Sequence, residues 1–255
     1  MKISVYYNET KDKAHCIVNK IKQWCNENNI EYKEFLPEGD IIFAIGGDGT
    51  FLRTAMEIKD RNIPIVGINA GGLGYLTEIT IDEVDKTLQK IKEGDFKIEE
   101  RMTVKAVLGN KEFTALNEIA ITSKSIRMVT ISLTIDGEYL TDVSCDGLIF
   151  STPTGSTAYS LACGGPILKP NMNSIILTPI SPHTLSFRPL VLSEDSKIEA
   201  KIIKNEALVV ADGQYFEEIN TNGKVCITRG DYNVKILKMG NKSYSQILRN
   251  KLNWG

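Results

Sequence analysis

One acid stands among three glycines in AIGGDGTFL, Ala44 to Leu52, and this spacing suggests phosphate chemistry. Glycines let a backbone approach a phosphate closely, and amides at the start of a following helix donate hydrogen bonds to it. A carboxylate in such a turn repels phosphate, so Asp48 needs another task. It can cap the helix, hold Mg²⁺, or take a proton from an attacking hydroxyl. A cap alone does not require three flanking glycines, which tilts the balance toward chemistry.

Other motifs narrow the chemistry. GINAGGLGYL, Gly67 to Leu76, fails the GxGxxG spacing of a dinucleotide fingerprint, and alone its glycines Gly71, Gly72 and Gly74 read as turn geometry. The single Gly-Lys, Gly223-Lys224, is followed by Val225, so no Walker A loop is present. In DGLIFSTPTGSTAYSLACGGP, Asp146 to Pro166, a strand from Leu148 to Phe150 runs into STPTGST. The spacing predicts a short helix from about Ser156 with Ala158, Leu161 and Ala162 on one side. The hydroxyls of Thr154, Ser156 and Thr157 suit an adenine edge or a ribose, and Tyr159 adds a ring and a phenol. Asn117-Glu118 in FTALNEIAI either marks the exposed face of a strand or binds a ligand. Ser156 has no histidine nearby in sequence and no GxSxG elbow, which argues against a hydrolase triad. His183 reads as structural or at the edge of a site.

These residues need elements to position them. Lys2 to Tyr7 reads as a strand, followed by Ala14, Ile17, Val18, Ile21, Trp24 and Cys25 at helical spacing. A buried strand at Ile41 to Ile45, a turn at Gly46 to Thr50, and a helix carrying Phe51, Leu52, Ala55 and Met56 come next. A strand at Ile63 to Ile68 and a helix with Val84, Leu88 and Ile91 complete a βαβαβα series, which predicts a parallel sheet. After about Lys97 the texture is β, with Asp136-Gly137 as a type I′ hairpin signal. The expected fold class is therefore an α/β N-terminal domain with a parallel sheet plus an all-β C-terminal domain. The domains are expected at 1–98 and 99–239, with their interface as the expected site. A C-terminal helix within 240–255 is free to pack back on the first. From Gly147 to Phe187 the only formally charged side chain is Lys169, as expected for a buried or cleft-lining segment.

Thirty basic and thirty-two acidic residues leave a formal charge of −2, so no global electrostatic footprint points to nucleic acid or an anionic membrane. The five cysteines form no CxxC pair and read as reduced thiols of a cytoplasmic protein. No signal-peptide core or membrane-spanning run is expected.

Several motifs agree in order: GGDGT followed by FLRTA, GINAGGLGYLTE, the ERM of Glu100 to Met102, the Asn-Glu pair, DGLIFSTPTGSTAYSLACGGPIL and SPHTLSFRPLVL. Together they resemble the NAD kinases over most of the chain. GGDGT alone is shared with diacylglycerol and sphingosine kinases and loosely with phosphofructokinases. The resemblance implies phosphorylation of the 2′-hydroxyl on the adenosine ribose of NAD by ATP or polyphosphate, giving NADP. It also implies a divalent metal such as Mg²⁺, NAD held between the two domains, and a homodimer or homotetramer. Asp48 then matches the proton acceptor, Gly49 its neighbour at the ribose, and Arg53 a basic position on the first helix. Asn117 and Glu118 match an adenosine-binding pair, and Thr157, Ala158, Tyr159, Ser160, Leu161 and Ala162 the segment around adenine and ribose. Asp146 matches an acid at the nicotinamide end, across a subunit interface, while Arg127, placed in its strand, and Gln214 of Asp212-Gly213-Gln214 match further NAD contacts. The chain departs from the pattern at Gly72, where many bacterial members carry Arg, at Tyr75, and at Ser144. The rival expectations are a GGDGT-type lipid or sugar kinase and a dinucleotide sensor without catalysis.

Overall fold

The computed structural model describes every residue except Asp60, Leu73, Asn241, Lys242 and Gly255. Parts of the glycine-rich run and of the expected C-terminal helical range thus lie outside the described residues. The chain forms two units, Met1–Glu100 with Val234–Gly255, and Arg101–Asn233.

In the first unit, β1 (Lys2–Tyr7), α1 (Asp12–Glu27), β2 (Glu31–Glu34), β3 (Ile41–Gly46), α2 (Asp48–Ile58), β4 (Ile65–Asn69) and α3 (Val84–Glu93) follow in order. The strands pair in parallel in the order β2, β1, β3, β4. β2 was not anticipated, because EYKE carries charge and its side chains are at most half-buried at the edge of the sheet. β3 is buried along its whole length, as a strand covered on both faces must be. α1 turns Ala14, Ile17, Val18, Ile21 and Cys25 inward, and α2 turns Phe51, Leu52, Thr54, Ala55 and Ile58 inward. Each fully buried large apolar side chain here contributes about 1.5–3 kcal/mol. Gly94, at φ 72°, ends α3 in the left-handed conformation that glycine adopts without strain.

The remaining elements are β5 (Lys97–Leu108), β6 (Lys111–Ala115), β7 (Glu118–Ser123), β8 (Val129–Ile135), β9 (Glu138–Cys145), β10 (Gly147–Ser151), α4 (Tyr159–Ala162), β11 (Ser174–Ile180), β12 (Leu190–Ser193), β13 (Ile198–Lys204), β14 (Ala207–Ala211), β15 (Tyr215–Ile219), β16 (Lys224–Lys238) and α5 (Tyr244–Leu252). In the second unit one antiparallel sheet runs β12, β11, β10, β7, β14, β15, and β16 begins another that continues through β13 and β8 to β9. Alternate residues of both sheets, including Ile119, Ile121, Leu148, Phe150, Ile131, Leu133, Ile198 and Ile227, share one core. Asp136 and Gly137 both have positive φ, 53° and 87°, as the β8–β9 hairpin requires. The uncharged stretch from Gly147 contains two buried strands, β10 and β11, so much of its missing charge reflects burial on both faces of a sheet. The far end of β16 pairs in parallel with β4 at Ile236 and Ile65, and α5 belongs to the first unit. Ser243 caps α5 by a reciprocal capping box with Gln246.

Candidate active site

In the first unit the glycine turn is tighter than the expected Gly46–Thr50. β3 runs to Gly46 and α2 begins at Asp48. Gly47 is the N-cap, so Asp48 is the first helical residue and does not cap. Its half-buried carboxylate is held by the second glycine-rich run. Oδ2 accepts the Tyr75 amide at 2.8 Å, while Oδ1 accepts the Leu76 amide at 3.0 Å and the Thr77 amide and hydroxyl at 3.2 Å each. GINAGGLGYLT therefore orients the acid of GGDGT, beyond forming a turn. A Cβ at Gly74 would lie 2.1 Å from Asp48 Oδ1, so only glycine admits the carboxylate there. A Cβ at Gly46 would meet Thr50 Oγ1 at 2.2 Å, but at Gly47 or Gly49 it would meet nothing within 4 Å. Those two positions have no internal steric need for glycine and leave the turn open to a ligand.

Gly49 and Arg53 are exposed on α2, four residues apart and so on the same helical face. Two further groups flank this turn. Lys11 brings its Nζ within 3.2 Å of the Cβ position of Gly71. Buried Asn69 binds the turn itself, its Oδ1 accepting the Gly71 amide at 2.5 Å and its Nδ2 donating to the Gly72 carbonyl at 2.5 Å. Sequence reasoning missed both. A lysine in ETKDK reads as a solvated helix start, and an asparagine after a strand reads as a turn former.

In the second unit FTALNEIAI is not one strand. β6 stops at Ala115 and β7 starts at Glu118, because the amides of Leu116, Asn117 and Glu118 all donate to the Asp212 carboxylate, at 2.7, 2.8 and 3.0 Å. Asn117 and Glu118 are only 9% and 8% exposed, which removes the exposed-face alternative. The STPTGST loop is stitched to this corner through its backbone. The Thr152 amide donates to the Asn117 carbonyl at 2.8 Å, Thr152 Oγ1 donates to the Leu116 carbonyl at 2.6 Å, and a Cβ at Gly155 would lie 2.2 Å from the Asn117 oxygen.

Two buried polar atoms in this corner, Glu118 Oε2 and Thr154 Oγ1, have no hydrogen-bond partner among the described residues. Such orphans are costly, and two of them in one corner make it a candidate ligand site. Burial, reinforced by the Asp212 charge and opposed by the Tyr159 amide, pushes the Glu118 carboxyl up to about 8. Burial likewise outweighs three amide donors and pushes Asp212 up to about 6.

The expected short helix is a 3₁₀ turn, Gly155–Thr157, followed by one turn of α4. Its apolar residues are not its inner side. Ser156 and Ser160 are buried, with Ser156 Oγ on the Pro153 carbonyl at 2.7 Å and Ser160 Oγ on Thr178 Oγ1 at 2.8 Å. Thr157, Ala158 and Leu161 are half-buried, and Tyr159 and Ala162 are exposed. The backbone at Gly165 lies directly over the Ser160 and Thr178 hydroxyls, where a Cβ would meet them at 2.1 and 2.8 Å. Asp146 is exposed between β9 and β10, and Arg127 lies in the loop before β8, outside the strand expected to carry it. Both are tied to Ser123, whose amide donates to the Asp146 carbonyl at 2.8 Å and whose hydroxyl donates to the Arg127 carbonyl at 2.5 Å. Gln214 is exposed in the β14–β15 turn, next to Asp212 and Gly213 at φ 49° and 64°. The described residues contain no group of three His, Cys, Asp or Glu side chains that could hold a metal ion. No described helix is long and apolar enough to cross a membrane.

Residues 5–96 match the family model of the ATP-NAD kinase N-terminal domain, and residues 116–239 that of the ATP-NAD kinase C-terminal domain. The chain is 38% identical to an NAD kinase of Fusobacterium nucleatum, over 100% of this chain and 98% of that one. Its fold is similar to that of an NAD kinase from Archaeoglobus fulgidus in complex with ATP, with a TM-score of 0.81, 30% identity and 94% of each chain covered. It is also similar in fold to a yeast NADH kinase complexed with NADH, with a TM-score of 0.91 at 21% identity, covering 100% of this chain and 88% of that one.

Proposed function

The chain belongs to the NAD kinase family, and on that premise we infer that it transfers a phosphoryl group from ATP, or from polyphosphate, to the 2′-hydroxyl of the adenosine ribose of NAD, with Asp48 taking the hydroxyl proton. The observation that carries the assignment is the state of the Asp48 carboxylate. Oδ1 is occupied by three donors, whereas Oδ2 accepts only the Tyr75 amide among the described residues. A carboxylate oxygen offers two lone pairs, so Oδ2 keeps one for an incoming hydroxyl.

The chemistry follows from that arrangement. The ribose hydroxyl donates to Oδ2, its oxygen attacks phosphorus in line, and the proton passes to Asp48 as the bond to the donor oxygen breaks. The Gly49 amide, in the first turn of α2 where amides lack intrahelical partners, and the Arg53 guanidinium stabilise charge on the transferred group. A divalent ion such as Mg²⁺ fits as a companion of the donor. The described residues offer no three-ligand cage, and Mg²⁺ commonly rides on substrate phosphates and water, where it offsets their charge. Glu118 Oε2 and Thr154 Oγ1 would read the adenosine, with Asn117 and Thr157 to Ala162 shaping its pocket. Arg127, Asp146 and Gln214 are assigned to the rest of the dinucleotide. The exposure of Asp146 suits the contact across a homodimer or homotetramer interface that the family resemblance implies.

The test is incubation with NAD, Mg²⁺ and either ATP or polyphosphate, with NADP read through an NADP-specific dehydrogenase. Asp48→Ala is expected to bind NAD by calorimetry yet lose roughly 10²–10⁴-fold in kcat. Turnover within a few-fold of the unsubstituted protein would remove Asp48 from the mechanism.

A further inference from the structure

We propose that Asn69 and Thr77 form a hydrogen-bond relay that positions the Asp48 carboxylate for proton transfer. This rests on the assignment of Asp48 as base. Thr77 is fully buried and Asn69 is 5% exposed, so neither hydroxyl nor amide can turn to water. The Asn69 amide has one orientation. Its Oδ1 must face the Gly71 amide and its Nδ2 the Gly72 carbonyl, each at 2.5 Å. The reverse orientation would set donor against donor and acceptor against acceptor.

That orientation fixes the next link. The second Nδ2 hydrogen points to Thr77 Oγ1 at 3.2 Å, so the hydroxyl oxygen is already accepting. The hydroxyl hydrogen is thereby committed to Asp48 Oδ1, also at 3.2 Å. With the Leu76 and Thr77 amides on the same oxygen, Oδ1 is saturated, which fixes the plane of the carboxylate and leaves open only the edge at Oδ2. The relay therefore helps set the orientation in which the open edge of the carboxylate meets the substrate. It also links β4, which ends in Asn69, to the turn that carries the remaining donors. Neither side chain touches substrate in this scheme, so both are positioning residues.

The test compares Thr77→Val, which removes the hydroxyl at nearly constant shape, with Thr77→Ser, which keeps it. Thr77→Val is expected to lower kcat about tenfold with KM for NAD within twofold, while Thr77→Ser stays within twofold of the unsubstituted enzyme in both. If Thr77→Val does not fold by thermal melting, Thr77→Ala serves the same comparison. Unchanged kcat in the hydroxyl-free variant would overturn the relay, and so would equal losses in the Val and Ser variants or a loss carried by KM. Asp48→Ala run alongside separates the two assignments. If it is active, the base assignment falls; if it is inactive while Thr77→Val turns over normally, only the relay falls.

Discussion

Asp48 shows why an amide substitution does not cleanly isolate a general base. Its oxygens face only donors, so Asp48→Asn would set an NH₂ group against the Tyr75 amide or against the donors on Oδ1. That variant should lose activity and also melt lower than Asp48→Ala, a difference readable by thermal denaturation. Gly49 offers the opposite case. Its Cβ position is open, so Gly49→Ala should raise stability by up to about 1 kcal/mol through helix propensity. The added methyl would obstruct donor approach, and kcat/KM for ATP should fall at least several-fold; a variant stabilised and fully active would show that the turn holds no phosphate. Glu118 supplies a pH dependence. Its carboxyl titrates near 8 in the folded chain against an ordinary value of 4.5, so the native state holds more protons than the unfolded state between those values. The contribution of Glu118 to stability therefore falls as pH rises from about 4.5 through 8. Glu118→Gln should flatten that decline in urea titrations across the range.

At the level of elements, the Asp212 carboxylate explains a break that no strand propensity would place. Three amides that could have continued a ladder from β6 into β7 turn instead to one acid from the β14–β15 hairpin. Removing it strands three buried donors, each costing about 1–3 kcal/mol. Asp212→Ala should destabilise the chain by about 3 kcal/mol or more and raise KM for NAD, because the Asn117-Glu118 corner loses its anchor. An unchanged KM in a folded variant would show that the corner does not bind the substrate. The α4 segment follows the same logic. Gly155 packs on the Asn117 carbonyl just before buried Ser156, and Gly165 packs on buried Ser160, while Tyr159 and Ala162 face outward.

At the scale of the whole molecule, Asn117 and Glu118 lie on one unit and Asp48 on the other, so the proposed roles of binding and proton transfer fall to different units. Ligand linkage separates them. NAD at a hundred times its Kd should stabilise the folded chain by about 2.7 kcal/mol. For a chain of 255 residues that is a rise in Tm of roughly 5–10 °C. Asp48→Ala should keep this shift and Glu118→Ala should lose most of it. Equal loss in both would mean that Asp48 contributes to binding as much as to turnover.

The amino-acid sequence alone determined the alternation of strands and helices to Ile91, the change to β texture afterwards, and the glycine-rich turns. These depend on neighbouring residues, through apolar periodicity and the conformations only glycine adopts readily. It also carried the order of motifs that resembles the NAD kinases. It did not show that Asp48 is held by a turn 27 to 29 residues further on, or that Asp212 lies against amides 94 to 96 residues earlier. Nor did it show that Ser156 and Ser160 face inward or that Lys11 stands beside Gly71. Those facts arise only when the sheet brings distant chain ends into register. A buried carboxylate must then be satisfied by whichever donors the fold delivers, and no local pattern in the sequence records which ones those are.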